Sequence, residues 1–326
     1  MVRTKRAVGR FGGFFGGVFG EIRLFKIGAA VAVLLACCPV RALAQEKGQT
    51  TFSSAEQASQ ALAKAAEAND EKVLIAMVGK SAKEIITSGD DQQDARHRAE
   101  FVKRYGEMHR LFKEPDGTTT LYVGAENWPL PFPLVNKGGV WYFDGEFAKK
   151  EILFRRIGLN ELSAIRVCEQ LAAAEKEYFA AQQVYAAKIA SDPDQRNGLY
   201  WSGEPKSPIG PLVAGADVGS KGGKAEPFRG YYFFVLTDQG KGAAGGAKSY
   251  LVGGKMTGGF AFVAYPARYQ SSGVMTFVVG SDGIVYEKDL GKKTESEALS
   301  IKSFDPNSSW HKAEIEQEAT NAQTTK

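Results

Sequence analysis

Hydrophobic and polar positions along the chain first follow the period of an α-helix. Ser54-Ala55-Glu56-Gln57 has the form of a capping box, in which side chains three residues apart bind the first backbone N–H groups of a helix. Apolar residues then recur every three or four positions, which predicts a helix that ends near Ala68. The same spacing predicts further helices around residues 74–78, 82–86 and 91–111.

The period then changes to that of β-strands. Residues 118–123 and 140–143 are typical of short strands, whereas 128–133 are interrupted by prolines and cannot form a central strand, because proline donates no ladder hydrogen bond. Several helices followed by short strands, the last of which contains Trp141, resemble the cone-shaped fold of the nuclear transport factor 2 superfamily.

A second helical pattern covers about residues 146–190. We expect an interruption near Gly158, with Asn160 as the cap of a new helix. Cys168 lies on the apolar stripe of that helix, which predicts a buried structural thiol rather than a reactive one. Residues 192–229 are rich in proline and glycine and predict a loop.

Short apolar segments separated by turns complete the pattern. They predict four strands of an antiparallel sheet, which needs an apolar partner, and the helix at 160–190 supplies one. The predicted class is therefore α+β. The predicted strands are residues 230–237, 260–264, 274–279 and 284–288.

This helix-and-sheet half resembles the globular part of type IV pilins and pseudopilins. The resemblance rests on Asn160-Glu-Leu-Ser-Ala-Ile165, Gly230-Tyr-Tyr-Phe233 and Gly273-Val-Met-Thr-Phe-Val278. Pilins assemble through an apolar half-helix placed directly before this region, whereas this chain has charged residues there. The resemblance therefore implies a shared architecture and not filament assembly.

The first 44 residues differ from the rest of the chain. Seven basic residues lie around an apolar run at 27–40, which is shorter than a membrane-spanning helix. Ala42-Leu43-Ala44 has the small-x-small form of a cleavage site. We predict a signal peptide at 1–44, cleaved near Ala44, and a periplasmic protein. An uncleaved anchor, or a lipoprotein modified at Cys37 or Cys38, is the alternative.

Four segments follow the predicted leader: a linker at 45–51, an α+β module at 52–157, a helix-and-sheet module at 158–311 and a polar tail at 312–326. Without residues 1–44, 34 basic and 36 acidic residues remain, a net charge of −2. No basic stripe alternates with aromatic residues, so we expect no nucleic-acid partner. We also expect no transmembrane span after the leader, and the single cysteine left there excludes an internal disulfide.

The sequence lacks the familiar catalytic and metal-binding motifs. Its three histidines are too widely spaced for a zinc site, and neither a nucleophile elbow nor a phosphate-binding loop occurs. We expect no metal and no cofactor. Asp144, Glu146 and Glu151 are weak candidates for acid/base chemistry, which requires burial to raise a pKa. Their structural alternative is to stabilise the start of a helix.

Two polar clusters are stronger candidates for binding a ligand or partner. Arg155-Arg156 with Asn160-Glu161 lies where the two predicted modules meet. These arginines either pair with the glutamate across a helix break or grip an anionic group. Arg268-Tyr269 lies in a loop between predicted strands, and loops often carry binding residues.

Longer motifs give a closer resemblance over about residues 52–311, to the secreted bacterial proteins of domain-of-unknown-function family 2950. This resemblance implies export and no activity. We predict that the protein is an exported, non-enzymatic binding or interaction module. One alternative is a carboxylate-dependent hydrolase or isomerase in the first module. The other is an accessory factor of a secretion or pilus system. The motifs are Phe52-Ser-Ser-Ala-Glu-Gln57, Arg155-Arg-Ile-Gly-Leu-Asn-Glu161, Gly198-Leu-Tyr-Trp201, Ser207-Pro-Ile-Gly-Pro-Leu212, Gly230-Tyr-Tyr-Phe233 and residues 258–291.

Overall fold

The computed structural model describes residues 45–87, 90–219 and 225–313. The predicted signal peptide, its cleavage site and residues 314–326 of the predicted tail lie outside these residues. The chain forms two compact units, of which the first ends at Phe154 and the second begins at Arg155. Each unit contains helices and antiparallel strands, and the α+β class is confirmed.

The helices of the first unit begin at side-chain caps. Ser54 accepts a hydrogen bond from the backbone N–H of Gln57, as the capping box predicts, and Asp70 binds the N–H of Val73 in the same way. The helices are α1 (Ala55–Glu67), α2 (Glu71–Val78), α3 (Lys83–Ile86) and α4 (Asp91–Glu107), with a 3₁₀ turn at Lys80–Ala82.

The prediction that the fourth helix continues to Leu111 is wrong. Met108 is extended, and His109–Lys113 form a strand, β1, paired residue by residue with β2 (Thr119–Val123). Strand pairing therefore overrides the helical spacing of the apolar residues. As a result, His97 and His109 lie on different elements rather than on one helix.

The sheet of the first unit has the order β1-β2-β4-β5, with β3 (Trp128–Pro129) also paired to β2. β4 is Leu134–Lys137, and β5 is Val140–Phe143, as predicted. Leu121 and Phe143 pack with Leu62 and Phe101 of the helices in one apolar core. The predicted linker is attached to this unit, because Gln49 Nε2 donates to the carbonyls of Met77 and Phe143 at 2.8 and 2.7 Å.

One long helix, α5 (Gly145–Gln182), replaces the two predicted here. The expected interruption at Gly158 and the expected cap at Asn160 are both wrong. A glycine inside a helix costs only about 1 kcal/mol, and the Asn160 side chain binds a distant loop instead of the helix end. The boundary between the two units falls within α5, between Phe154 and Arg155.

The second unit contains a five-stranded antiparallel sheet, one strand more than predicted. The extra strand, His311–Lys312, pairs with Val285–Asp289 and includes the first residue of the predicted tail. The order is β14-β13-β12-β11-β6, where β6 is Tyr231–Leu236, β11 is Ala261–Pro266, β12 is Met275–Gly280, β13 is Val285–Asp289 and β14 is His311–Lys312. The smaller elements are α6 (Pro211–Gly215), α7 (Thr294–Ser300) and the two-residue strands β7 (Asp238–Gln239), β8 (Lys248–Ser249), β9 (Leu251–Val252) and β10 (Lys255–Met256).

The sheet and the C-terminal part of α5 share one apolar core, as the sequence predicts. Cys168 and Leu171 of the helix lie with Phe233, Phe262 and Phe277 of the sheet. Cys168 is fully buried, and burial raises the pKa of its thiol, so it packs as a small apolar group. Within the part of the chain that the structure describes, no helix combines the length and hydropathy that crossing a bilayer requires.

Candidate functional site

The predicted binding residues other than Arg155 come together in the second unit, around the turn at residues 267–274 between β11 and β12. α5 contributes Arg156 and Asn160, which lie four positions apart on one side of the helix, and Glu161, the next residue along. The turn contributes Arg268 and Tyr269. We call these five residues the helix–turn cluster.

The turn is fixed by its own hydrogen bonds. Ser272 donates its backbone N–H to the carbonyl of Arg268 at 2.8 Å, and its hydroxyl accepts the N–H of Arg268 at 2.9 Å. The backbone N–H of Gln270, whose φ is +57°, donates to the carbonyl of Gly273 at 2.8 Å. The backbone of Arg268 is therefore held firmly while its side chain is exposed.

Asn160 and Glu161 tie the helix to this turn. Glu161 Oε1 accepts the backbone N–H groups of Val274 and Met275 at 2.8 and 3.0 Å, and Asn160 Nδ2 donates to the carbonyl of Ser272 at 2.8 Å. Burial raises the pKa of Glu161, and the two N–H donors act in the opposite direction. The glutamate thus binds backbone amides, and the helix break across which it was expected to pair with arginine does not exist.

Gly230 belongs to the same arrangement, because its backbone lies close to Asn160 of α5 and Ser272 of the turn. Its φ is +76°, and a Cβ there would lie 2.8 Å from both Asn160 Nδ2 and the Cβ of Ser272. Directly after it, the hydroxyl of Tyr231 donates to the carbonyl of Met275 at 2.8 Å. Only glycine fits this position without displacing the Asn160 contact.

Tyr269 connects the turn to the end of β13. Its hydroxyl donates to Asp289 Oδ2 at 3.1 Å, and burial together with this acidic partner raises the pKa of Tyr269. Sequence reasoning missed Gly230, Ser272 and Asp289. Ser271-Ser272-Gly273 is a turn signal that could have found the serine, whereas nothing in the pattern distinguishes Asp289 from other acids at strand ends.

The two arginines give the cluster its chemistry. Burial, and then the positive charge of Arg268, lower the pKa of Arg156 from its usual value. Guanidinium binds carboxylate or phosphate through two parallel hydrogen bonds, and the side chain of Arg268 is exposed and can take such a group. Arg155 precedes Arg156 on α5 and is rotated by about 100° around the helix from it.

Most of this chain matches one known protein family. A family model described as protein of unknown function (DUF2950) matches residues 49–313. The chain belongs to the DUF2950 family. The whole helix–turn cluster lies within the matched residues of this DUF2950 protein. No curated protein and no solved structure matches it, so the likeness to pilins and to the nuclear transport factor 2 fold stays a prediction.

The three candidate carboxylates of the DUF2950 protein lie in its first unit, at the start of α5. Asp144 Oδ1 accepts the N–H of Phe147 at 2.8 Å, as a helix cap does. A hydrogen bond from Ser81 and the charge of Lys149 lower the pKa of Glu146. A lowered pKa keeps this group ionised, whereas a general acid working near neutral pH needs a raised one. Glu151 lies about 140° around the helix from Glu146.

In the described part of the DUF2950 chain, neither a metal site nor the cleft described below involves the helix–turn cluster. Among residues 45–87, 90–219 and 225–313, no group of three or more His, Cys, Asp or Glu side chains is arranged to hold a metal ion. A cleft of about 380 Å³ lies in the second unit between α5 and residues 208–213, and no residue of the helix–turn cluster lines it. The helix–turn cluster is therefore the best-defined candidate for recognition.

Proposed function

We propose that this protein is exported to the bacterial envelope and there binds an anionic group of a small ligand or a partner protein, without catalysing a reaction. The observation that carries the proposal is that α5, which carries Arg156, is hydrogen-bonded through Asn160 and Glu161 to the turn that carries Arg268. The leader pattern of residues 1–44 supports export.

The cluster has the features of a preformed binding site. The backbone of Arg268 is held by hydrogen bonds within the turn, and Glu161 and Asn160 hold the turn against α5. Holding binding groups in place before the ligand arrives lowers the entropy lost on binding. The backbone that carries Arg268 is therefore held in place, and its exposed side chain presents positive charge from there.

The acidic groups of the cluster are already engaged by protein donors. Glu161 accepts two backbone N–H groups, and Asp289 accepts the hydroxyl of Tyr269. The side chain of Arg268 is exposed to solvent. An incoming carboxylate or phosphate thus meets a guanidinium that solvent can reach.

Isothermal titration calorimetry with succinate and with inorganic phosphate tests this function. Loss of one guanidinium–anion pair costs about 1.5–3 kcal/mol, so Arg268→Gln should weaken binding of the preferred probe by at least about tenfold. Lys292→Gln, which removes an exposed cation elsewhere in the same unit, is the control and should bind as the unmodified protein does. Absence of saturable binding of both probes, or equal binding by Arg268→Gln, would contradict the proposal.

Export is tested separately from binding. Cells are fractionated, and the intact mass of the native protein is measured in each fraction. We expect the protein in the periplasm, with an N-terminus near residue 45. Protein that retains Met1 and stays in the cytosol would contradict export. It would not bear on anion binding, which the calorimetry tests separately.

A further inference from the structure

A small hairpin in the second unit projects apolar side chains away from the core. β9 and β10 are joined by Gly253-Gly254, with φ of +58° and +77°. Positive φ at both turn positions is the geometry of a tight two-residue hairpin. We call residues 251–255 the hairpin tip.

The base of the hairpin is anchored firmly. Tyr250 and Met256, which flank the tip, are both buried. The carbonyl of Tyr250 accepts the backbone N–H groups of Thr257 and Gly258 at 3.1 and 2.9 Å. The tip is therefore carried on a fixed base.

Both aliphatic side chains of the tip are exposed, Leu251 by 41% and Val252 by 59%. Successive residues of a strand point to opposite faces, so exposure of both shows that the hairpin stands clear of the protein on both faces. Neither side chain contributes to the core of the second unit. The two adjacent aliphatic side chains are therefore available to an apolar environment outside the protein.

The tip itself carries only basic charge, whereas the acids Asp238 and Asp282 lie near Tyr250 at the base of the hairpin. Residues 239–281 contain no aspartate or glutamate, and their basic residues are Lys241, Lys248, Lys255 and Arg268. Lys248 and Lys255 lie on either side of the apolar pair and are exposed. The chain after the predicted leader is slightly acidic, so this stretch is an exception to its overall charge.

We propose that the hairpin tip docks on the surface of an anionic lipid bilayer. Leu251 and Val252 enter the boundary between headgroups and acyl chains, and Lys248 and Lys255 remain at the level of the anionic headgroups. Apolar insertion combined with lysine–headgroup attraction is the usual basis of reversible binding to membrane surfaces. This role is separate from anion binding at the helix–turn cluster.

The size of the patch distinguishes a bilayer from a protein partner. A stable protein–protein interface buries at least about 1,200 Å² in total, which two aliphatic side chains and a Gly-Gly turn do not supply. A bilayer needs no complementary surface, since lipids rearrange around an inserted tip. The excess of lysine also favours an anionic membrane over a second copy of this chain, whose tip would carry the same charge.

Co-sedimentation with vesicles tests the proposal, with the protein used as it is processed and purified from its host. Vesicles of phosphatidylglycerol and phosphatidylcholine should bind the protein, and vesicles of phosphatidylcholine alone should bind it much more weakly. Leu251→Ser/Val252→Ser should weaken partitioning by at least about tenfold. Each of Lys248→Gln and Lys255→Gln should weaken it about fivefold at low salt.

Leu299→Ser is the matched control, because Leu299 has a similar exposed fraction of 43% but lies on α7 beside Glu295 and Glu297. This variant should bind vesicles as the unmodified protein does. Equal sedimentation of the hairpin variants and the unmodified protein would overturn the proposal. So would concentration-dependent self-association that the Leu251→Ser/Val252→Ser pair abolishes, which would assign the tip to a second copy.

A fluorescent probe at the tip provides the direct readout. Val252→Trp places an indole at an exposed position of the hairpin. On anionic vesicles we expect its emission to shift to shorter wavelength and to be quenched by lipids brominated near the headgroup. Vesicle binding without a shift or quenching would show contact through another surface and would refute insertion of the tip.

Discussion

At the scale of single residues, Glu175 makes the stability of the second unit depend on pH. It lies in the apolar core on α5, and its Oε2 accepts the backbone N–H of Ala186 at 2.8 Å. Its Oε1 has no hydrogen-bond partner among the described residues. Burial therefore raises the pKa of Glu175 from 4.5 to about 8, although the hydrogen bond from Ala186 acts in the opposite direction.

The raised pKa sets the sign of the pH dependence. Between pH 4.5 and about 8 the folded protein keeps a proton that the unfolded chain has released. The contribution of Glu175 to the free energy of unfolding should therefore be greatest below pH 4.5 and fall as pH rises towards about 8, by a total on the order of 5 kcal/mol.

Glu175→Gln mimics the neutral acid, so it should remove most of this fall in the free energy of unfolding. Urea unfolding from pH 5 to pH 9 measures the effect. Glu177→Gln, an exposed change on the same helix, is the control, and its free energy of unfolding should fall with pH as that of the unmodified protein does. A Glu175→Gln protein whose stability still falls as the unmodified protein's does would show that Glu175 is not the group responsible.

Gly230 supplies a second test at this scale. Gly230→Ala places a Cβ against Asn160 and Ser272 at a positive φ, whereas Gly291→Ala has the same φ of +76° and nothing within 4 Å. Both changes incur the backbone cost of about 1–2 kcal/mol. Only Gly230→Ala adds a steric clash. Thermal unfolding of the second unit should therefore show a clearly larger loss of stability for Gly230→Ala than for Gly291→Ala. Equal losses would mean that the contact between α5 and the turn is not tight.

At the scale of elements, the sequence predicts the type of most helices and strands but not all of their ends. The capping side chain of Ser54 is a local signal, so α1 begins where expected. The end of α4 and the continuity of α5 depend on partners distant in sequence. β1 forms because β2 pairs with it, and Asn160 binds Ser272 rather than capping a helix.

Asp144 gives a test at the start of α5. If its role is to cap the helix, Asp144→Asn should be nearly neutral, because asparagine caps as well as aspartate does. Asp144→Ala should destabilise the first unit by about 1 kcal/mol. Hydrogen exchange of peptides from the first turn of α5 measures the effect. Loss of protection in both variants alike would show that the carboxylate charge itself is required.

At the scale of the whole molecule, the sequence predicts the members of the binding cluster better than their roles. Arginines, asparagine and glutamate near the junction were identifiable by residue type. Their grouping with Arg268 and Tyr269 could not be predicted, because it depends on how the β11–β12 turn packs on α5, more than a hundred residues away in sequence. Glu161 was expected to pair with arginine, and the structure shows that it holds backbone amides.

The central claim is that Arg156 and Arg268 together receive an anion, and NMR of the arginine side chains tests it most directly. The Nε–Hε signals are assigned with Arg156→Lys and Arg268→Lys and are then followed while succinate or inorganic phosphate is added. We predict that both signals shift together with one saturation curve, while the signal of Arg196, which binds the carbonyl of Glu204 away from the cluster, stays in place. If neither signal shifts in a saturable way, or if all arginines shift alike as in a general salt effect, the claim is wrong.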